Sequence, residues 1–327
     1  MPLRQQEVPR HDARTEAMND DRPLHWGAET LWAQLEPELP GLSVEIVARI
    51  SSTNSALLDR ARVAGDVAEE GDIARVRRSV ESSAFGRRQA DLQPCLLVAE
   101  HQTGGRGRQG RVWHASPGAS LTFSLALPLA PRDWSGLSLA VGVALADALD
   151  PLGPNDAGAP PRIGIKWPND LWLLDAAAAR SSVGRKLGGV LIETVAAGSR
   201  RLAVIGVGLN VLPLDADASS ATSGFACLQE LDAEVRAPAV LARVALPLVA
   251  ALQQFERDGF AAFAARFAAR DLLHGRAVRT TPPDAVDGIA AGVSPNGGLL
   301  VRTTDGVRTI VSGEVSVRLN AGGPASC

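Results

Sequence analysis

Between Gly104 and Trp113 the chain reads GGRGRQGRVW, which sets Arg106, Arg108 and Arg111 within six residues among four glycines. Guanidinium groups grip phosphate or carboxylate oxygens with two parallel hydrogen bonds, and glycine leaves the adjoining backbone open to close approach. The segment also contains G-x-G-x-x-G at Gly105, Gly107 and Gly110. A dinucleotide fingerprint must open a helix, whereas Trp113, Pro117 and Gly118 follow here. A kinase needs V-A-I-K, H-R-D and D-F-G downstream, and none occurs. A Walker A loop needs Lys-Ser/Thr where Arg111-Val112 stand. What remains is an anion site: three clustered cations repel one another until an anion joins them, so the loop is expected to be mobile when empty and to close over a polyanion.

The elements around this loop follow from periodicity. Residues 44–50 (VEIVARI) read as a strand, and SSTNSALLDRARVAG after them as a capped helix. Residues 66–92 are charged and Ala-rich and read as a solvated helical insertion. CLLVAE (95–100) and SLTFSLALPL (120–129) read as strands on either side of the arginine loop. A helix is expected over 135–150 with Ser135 as its N-cap. Three more strand segments follow: RIGIKWPNDLWLLD with a Pro-Asn-Asp turn inside, KLGGVLIETVA, and RRLAVIGVGLNVL. Residues 237–273 read as helices with a kink at Pro247. Beyond Leu273, short alternating strands with turns at SPNGG and TTDG indicate a small β-barrel. The expected organisation is a disordered lead-in (1–23), an α+β domain (24–273), a small barrel (274–320) and a tail (321–327).

Composition narrows the function. The chain has 327 residues, 33 Lys+Arg against 36 Asp+Glu, and a formal net charge of −3, so a basic site must be local. Cys95, Cys227 and Cys327 have neither disulfide nor zinc spacing, and His11, His25, His101, His114 and His274 are scattered, so no metal ligand is assigned. No apolar run reaches the roughly 18 residues of a membrane span, and the start is polar without a signal-peptide core; a cytoplasmic protein without a membrane partner is expected. One competing class is a single-stranded RNA-binding protein using residues 75–113 as a basic patch, but arginine-glycine binders repeat their unit many times and here it occurs once.

Read in order, STN (52–54), QTGGRGRQGRVW (102–113), KWPNDL (166–171), KLGGVLIE (186–193), GVGLNV (206–211) and SGEVSVR (312–318) resemble the motifs of biotin protein ligases over roughly Val44 to Leu319. That resemblance implies a central mixed β-sheet flanked by helices, of the class II synthetase-like type, with an SH3-like C-terminal barrel. It implies that biotin and ATP, with Mg²⁺, give biotinyl-5′-AMP, and that biotin then passes to a lysine of a biotin carboxyl carrier domain. A lipoate or octanoyl ligase or transferase of the same superfamily is the nearest alternative. Nothing before Leu24 reads as a winged helix-turn-helix, so the expectation is a monofunctional enzyme without a DNA partner; a homodimer is left open.

The resemblance assigns roles residue by residue. Ser52, Thr53, Asn54 and Gln102 would meet the biotin ureido group. Arg106, Gly107 and Arg108 would close over biotin and its activated carboxyl, with Lys186 touching carboxylate and α-phosphate together beside Gly189. On that resemblance Lys186 and Arg108 would be the catalytic pair. Arg111, Trp113, Asn169, Asn210 and Arg318 would serve ATP; Asp170 and Glu314 have no firm role. The chemistry explains the cations: a carboxylate about 4 Å from a phosphate at an effective dielectric near 20 is repelled by about 4 kcal/mol. That barrier is worth roughly a thousandfold in rate.

Overall fold

A computed structural model of the chain describes residues 24–67, 83–85, 93–152, 160–174, 184–197, 200–213, 224–281, 285–311 and 317–319. The lead-in, most of the 66–92 insertion, Glu314 and the tail lie outside them.

The first part of the chain builds one mixed sheet from β1 (Ser43–Ile50), β2 (Ser83–Phe85), β3 (Cys95–Gln102), β4 (Ser120–Pro128), β5 (Ile163–Lys166), β6 (Asp170–Leu173), β7 (Arg185–Ala197) and β8 (Arg200–Asn210). Their order across the sheet is β2-β1-β3-β4-β8-β7-β6-β5. Only β1 and β3 run parallel; the other pairs are antiparallel. The parallel pair is joined by a crossover that contains helix α2 (Thr53–Val67), as parallel strands require. Within the stretch read as a helical insertion, 83–85 is instead an extended edge strand on β1.

The two faces of the sheet differ. Leu121, Phe123, Leu125 and Leu127 of β4 alternate toward α1 (Ala28–Leu35), α3 (Leu137–Leu149) and α4 (Ala237–Asp258), with Ala203, Ile205, Val207 and Leu209 of β8 beside them in the larger core. The opposite face packs Ala126, Leu202 and Val204 under Leu57, Leu58 and Ala61 of α2 in a smaller core. Further along the same face of β4 and β8 the residues become Ser124, Gly206 and Gly208. On that face the apolar side chains stop halfway along the strands, and the second half is left uncovered by α2.

Helix α3 begins at Leu137 after Gly136, which is left-handed at φ 81°; Ser135 is not its cap. Helix α4 is 22 residues long and apolar enough to span a bilayer by length. However, Val240, Leu241, Val244, Leu248, Leu252 and Phe255 bury one side of it while Arg243 and Arg257 stay exposed, the pattern of a core helix. Pro247 sits on the exposed side within the continuous helix, so the hydrogen bond it cannot donate is lost where water is available. After α5 (Ala264–Ala268), strands β9 (Ala277–Thr280), β10 (Asp287–Val293), β11 (Leu299–Thr303), β12 (Gly306–Ile310) and β13 (Val317–Leu319) form an antiparallel sheet in the order β12-β11-β10-β9-β13.

Candidate active site

The half-face of β4, β7 and β8 that carries Ser124, Gly189, Leu191, Gly206 and Gly208 forms the floor of an open cleft. Its walls are the start of α2, the arginine loop and the turn between β5 and β6. At the α2 end, Ser52 caps the helix by accepting from the Ser55 N–H at 3.4 Å. Thr53 donates to Gln102 Oε1 from both its N–H (2.7 Å) and its hydroxyl (3.1 Å). Ser124 places its hydroxyl 2.6 Å from Thr53 Oγ1 and 2.6 Å from Asn54 Oδ1. Asn54 Nδ2 donates to Leu191 O at 3.2 Å and Glu193 Oε2 at 3.0 Å. Ser52, Thr53 and Asn54 are 4%, 3% and 3% exposed, so these polar groups are held by one another in a dry corner, where an unpaired one is costly. Helix capping and the lining of the cleft are thus carried by the same short segment.

Glycine is required at two points of the floor. A Cβ on Gly206 would lie 2.3 Å from Asn54 Oδ1, and one on Gly208 would lie 2.5 Å from the Trp113 indole. Both distances are below any real carbon contact, so the strand backbone itself forms the surface on which Asn54 and Trp113 rest. The indole Nε1 of Trp113 is buried without a hydrogen-bond partner among the described residues.

The arginine loop is a small hairpin in this structure. Arg106 bridges Val112, the Gly107 N–H donates to Arg111 O at 2.7 Å, and the Trp113 N–H donates to Gly105 O at 2.9 Å. Arg106 leans on Glu193 with both carboxylate oxygens within reach, 3.1 and 2.9 Å. Arg108 reaches Asn169 Oδ1 at 3.4 Å. The arginines therefore do not face one another uncompensated, as expected for the bare loop, because the protein supplies carboxylate and amide partners. Burial still draws the Arg108 guanidinium below its usual range; Asp170 opposes this and the nearby Arg111 adds to it. An arriving anion would relieve that cost.

Lys186 Nζ forms a 2.8 Å ion pair with Asp170 Oδ1, and Asn169 Nδ2 donates to Val190 O at 2.8 Å. A bulge places the lysine. β6 and β7 pair Asp170 with Gly189, Leu171 with Gly188, then Trp172 with Lys186, so Leu187 is the extra residue. Leu187 consequently points into the larger core with Val190, and Lys186 shares the cleft face with Gly189 and Leu191. Strict alternation would have sent lysine and Val190 to the same side.

The structure thus gathers Ser52, Thr53, Asn54, Gln102, Arg106, Gly107, Arg108, Arg111, Trp113, Asn169, Asp170, Lys186 and Gly189 around one cleft. Asn210, expected to serve the nucleotide, does not line it. It is 1% exposed and donates to Ala226 O at 3.0 Å and Lys186 O at 3.4 Å, tying residues 224–226 to the lysine strand; its Oδ1 lacks a partner among the described residues. Arg318 is placed only as a backbone position in β13, opposite Arg279. Sequence reasoning missed Ser124, Glu193 and Lys166. Ser124 interrupts an apolar strand and Glu193 closes the GGVLIE run, which were available signals; Lys166, 4.7 Å over the Trp172 ring, is visible only once the turn is folded.

Comparison with known proteins agrees with this geometry. The profile of the Biotin/lipoate A/B protein ligase family matches residues 83–210, and that of the Biotin protein ligase C terminal domain matches 273–318. The Bifunctional ligase/repressor BirA of Escherichia coli is 32% identical over 289 residues, 87% of this chain and 77% of that protein. The Biotin--[acetyl-CoA-carboxylase] ligase of Mycobacterium tuberculosis is 34% identical over 297 residues, covering 87% and 88%. The biotin protein ligase of Aquifex aeolicus, solved in complex with biotin and ATP, has the same fold at a TM-score of 0.61 and 24% identity, covering 85% of this chain and 99% of that one. With cations, buried hydroxyl and amide groups and a glycine floor converging on one cleft, and with relatives of this extent, the chain belongs to the biotin protein ligase family.

Proposed function

We infer that the chain activates biotin with ATP, forming biotinyl-5′-AMP and pyrophosphate, and transfers the biotinyl group to a lysine of a biotin carboxyl carrier domain. The observation that carries this reading is the approach of Arg108 and Lys186 to the same Asn169–Asp170 turn, at 3.4 and 2.8 Å, across a cleft whose other end is the Thr53–Asn54–Gln102 cluster. One end offers fixed amides and hydroxyls suited to a neutral urea, and the other offers cations suited to two anions.

In this reading the bicyclic ring of biotin lies over Gly206 and Leu191, with the ureido group among Ser52, Thr53, Asn54 and Gln102. Its carboxylate reaches the space between Arg108 and Lys186. A carboxylate oxygen attacks the α-phosphorus of ATP and pyrophosphate leaves, so charge must be neutralised where the two anions meet; preorganised cations do this without reorganising at the moment of reaction. Trp113, on its glycine shelf, offers an aromatic face to the ligand, and Arg111 stands toward the phosphates. The hairpin then covers the mixed anhydride from water until the carrier lysine arrives.

Mg²⁺ is a fitting companion. It is usually held by one or two carboxylates together with nucleotide phosphates, and Asp170 with Asn169 supplies that kind of donor set, shared with Lys186. The ion supplies neutralisation of phosphate charge. The test is direct: the protein with biotin, ATP and magnesium should release pyrophosphate in proportion to biotin and accumulate a biotinyl-AMP adduct. No biotin-dependent pyrophosphate would overturn the reading.

A further inference from the structure

Glu193 closes the KLGGVLIE motif without a role in the reaction as read above, yet it joins two parts of the site. It stands on β7, on the same face as Gly189 and Leu191, with its side chain 27% exposed. One carboxylate accepts from Arg106 with both oxygens (3.1 and 2.9 Å) and from Asn54 Nδ2 (3.0 Å). Asn54 Oδ1 in turn receives the Ser124 hydroxyl at 2.6 Å, and Ser124 also meets Thr53 Oγ1 at 2.6 Å. The polar corner and the arginine hairpin are therefore one connected network with Glu193 at the junction.

Resting on the biotin ligase reading, we propose that Glu193 is a positioning residue which links the orientation of Asn54 to the closed position of the arginine hairpin, and which withholds Arg106 from the substrate carboxylate. Two arguments carry it. An amide has two near-isosteric orientations, and partners that can only accept or only donate decide between them, whereas the Ser124 hydroxyl at Asn54 Oδ1 suits either. Glu193 and Leu191 O are those acceptors, and Leu191 O alone is a single neutral partner. The second argument is electrostatic. Three arginines on a short hairpin compete for one incoming carboxylate, and Glu193, with both oxygens on Arg106 Nη2, engages that guanidinium in advance. Arg108, whose charge is already disfavoured by burial, is left as the loop cation that gains most from the substrate.

The experiment is a double-mutant cycle on the full chain with Glu193→Gln, Arg106→Ala and the pair together. It measures KM for biotin, KM for ATP, and the rate at which bound biotinyl-AMP is lost from the enzyme. Each single change should raise the biotin KM and the loss rate about tenfold, and the pair should do no more than either single change, because both remove the same link. The ATP KM should stay within about twofold, which general unfolding of the site would not allow. Multiplying effects in the pair, or wild-type values in both single variants, overturn the proposal. Should Glu193→Gln fail to fold, Arg106→Ala alone decides, since its side chain is 43% exposed on a surface hairpin; an unchanged biotin KM there refutes the link. A wild-type enzyme that forms no biotinyl-AMP would instead refute the functional reading, independently of the cycle.

Discussion

Lys186 Nζ and Asp170 Oδ1 stand 2.8 Å apart, joining two strands at the mouth of the cleft. The pair is partly solvated, with side chains 30% and 22% exposed, so it adds little to stability and its value is in aiming the ammonium. Lys186→Ala should reduce biotinyl-AMP formation by about a hundredfold or more while leaving the melting temperature nearly unchanged. Asp170→Asn, which keeps the shape but releases the lysine, should cost about tenfold. Pyrophosphate release at saturating substrates measures both. Equal effects from the two changes would show that Asp170 does more than aim.

Gly206 and Gly208 should tolerate no side chain. Gly206→Ala drives a methyl group into Asn54 Oδ1 and should raise the biotin KM by about tenfold or more, with a smaller effect on ATP. Gly208→Ala pushes the Trp113 indole off its shelf and should weaken retention of the adenylate instead. Calorimetry with biotin alone and with biotin plus ATP distinguishes the two.

The C-terminal sheet also holds the site. Trp167, 2% exposed, donates its indole N–H to Gly297 O at 2.9 Å, and Ser138 donates to Pro168 O at 2.9 Å, so the turn bearing Asn169 and Asp170 is fastened from both sides. Trp167→Phe removes the donor, leaves the Gly297 carbonyl buried without it, and should cost about 1–3 kcal/mol of stability. The ATP KM should rise more than the biotin KM, as steady-state kinetics on each substrate will show.

Glu230 predicts a pH effect. Its hydrogen bonds with Arg185, at 3.0 Å and a shorter one at 2.5 Å, hold its carboxyl below the usual range, followed by support from the Cys227 N–H against a desolvation cost. A lowered folded value means that the stabilisation is complete above the range of a free carboxyl and is lost as pH falls through the folded value. Denaturation midpoints should therefore decline in acid, and Glu230→Gln should flatten that decline. The neighbouring Cys227 thiol is pushed up by burial and by Glu230, so alkylation at neutral pH should be slow in the folded protein and quicken in the Glu230→Gln variant.

Much of this arrangement is readable from residues alone, for identifiable reasons. Short apolar runs bounded by turn residues mark β1, β3, β4, β7 and β8, and the helical spacing after Asn54 marks α2. The motifs name residues that the fold brings to one cleft. What the sequence conceals depends on distant partners. Ser135 looks like a cap, but Gly136 takes the left-handed turn into α3. Asn210 looks like a nucleotide contact, yet the later segment around Ala226 folds back and claims its amide. The arginines look unpaired because Glu193 is 87 positions from Arg106 in the chain.

The irregular pairing at Leu187 carries a last consequence. Were β7 to keep an even pleat through that residue, Leu187 would turn to the cleft and the ammonium at 186 would travel through to the α3 side, among Val190 and Leu171, where an unpaired cation cannot be hydrated. The chain would have to bury the charge or unzip β6. The extra residue therefore decides which way the ammonium at 186 faces, and it is the bulge, more than the side chain of Leu187, that a substitution there has to preserve.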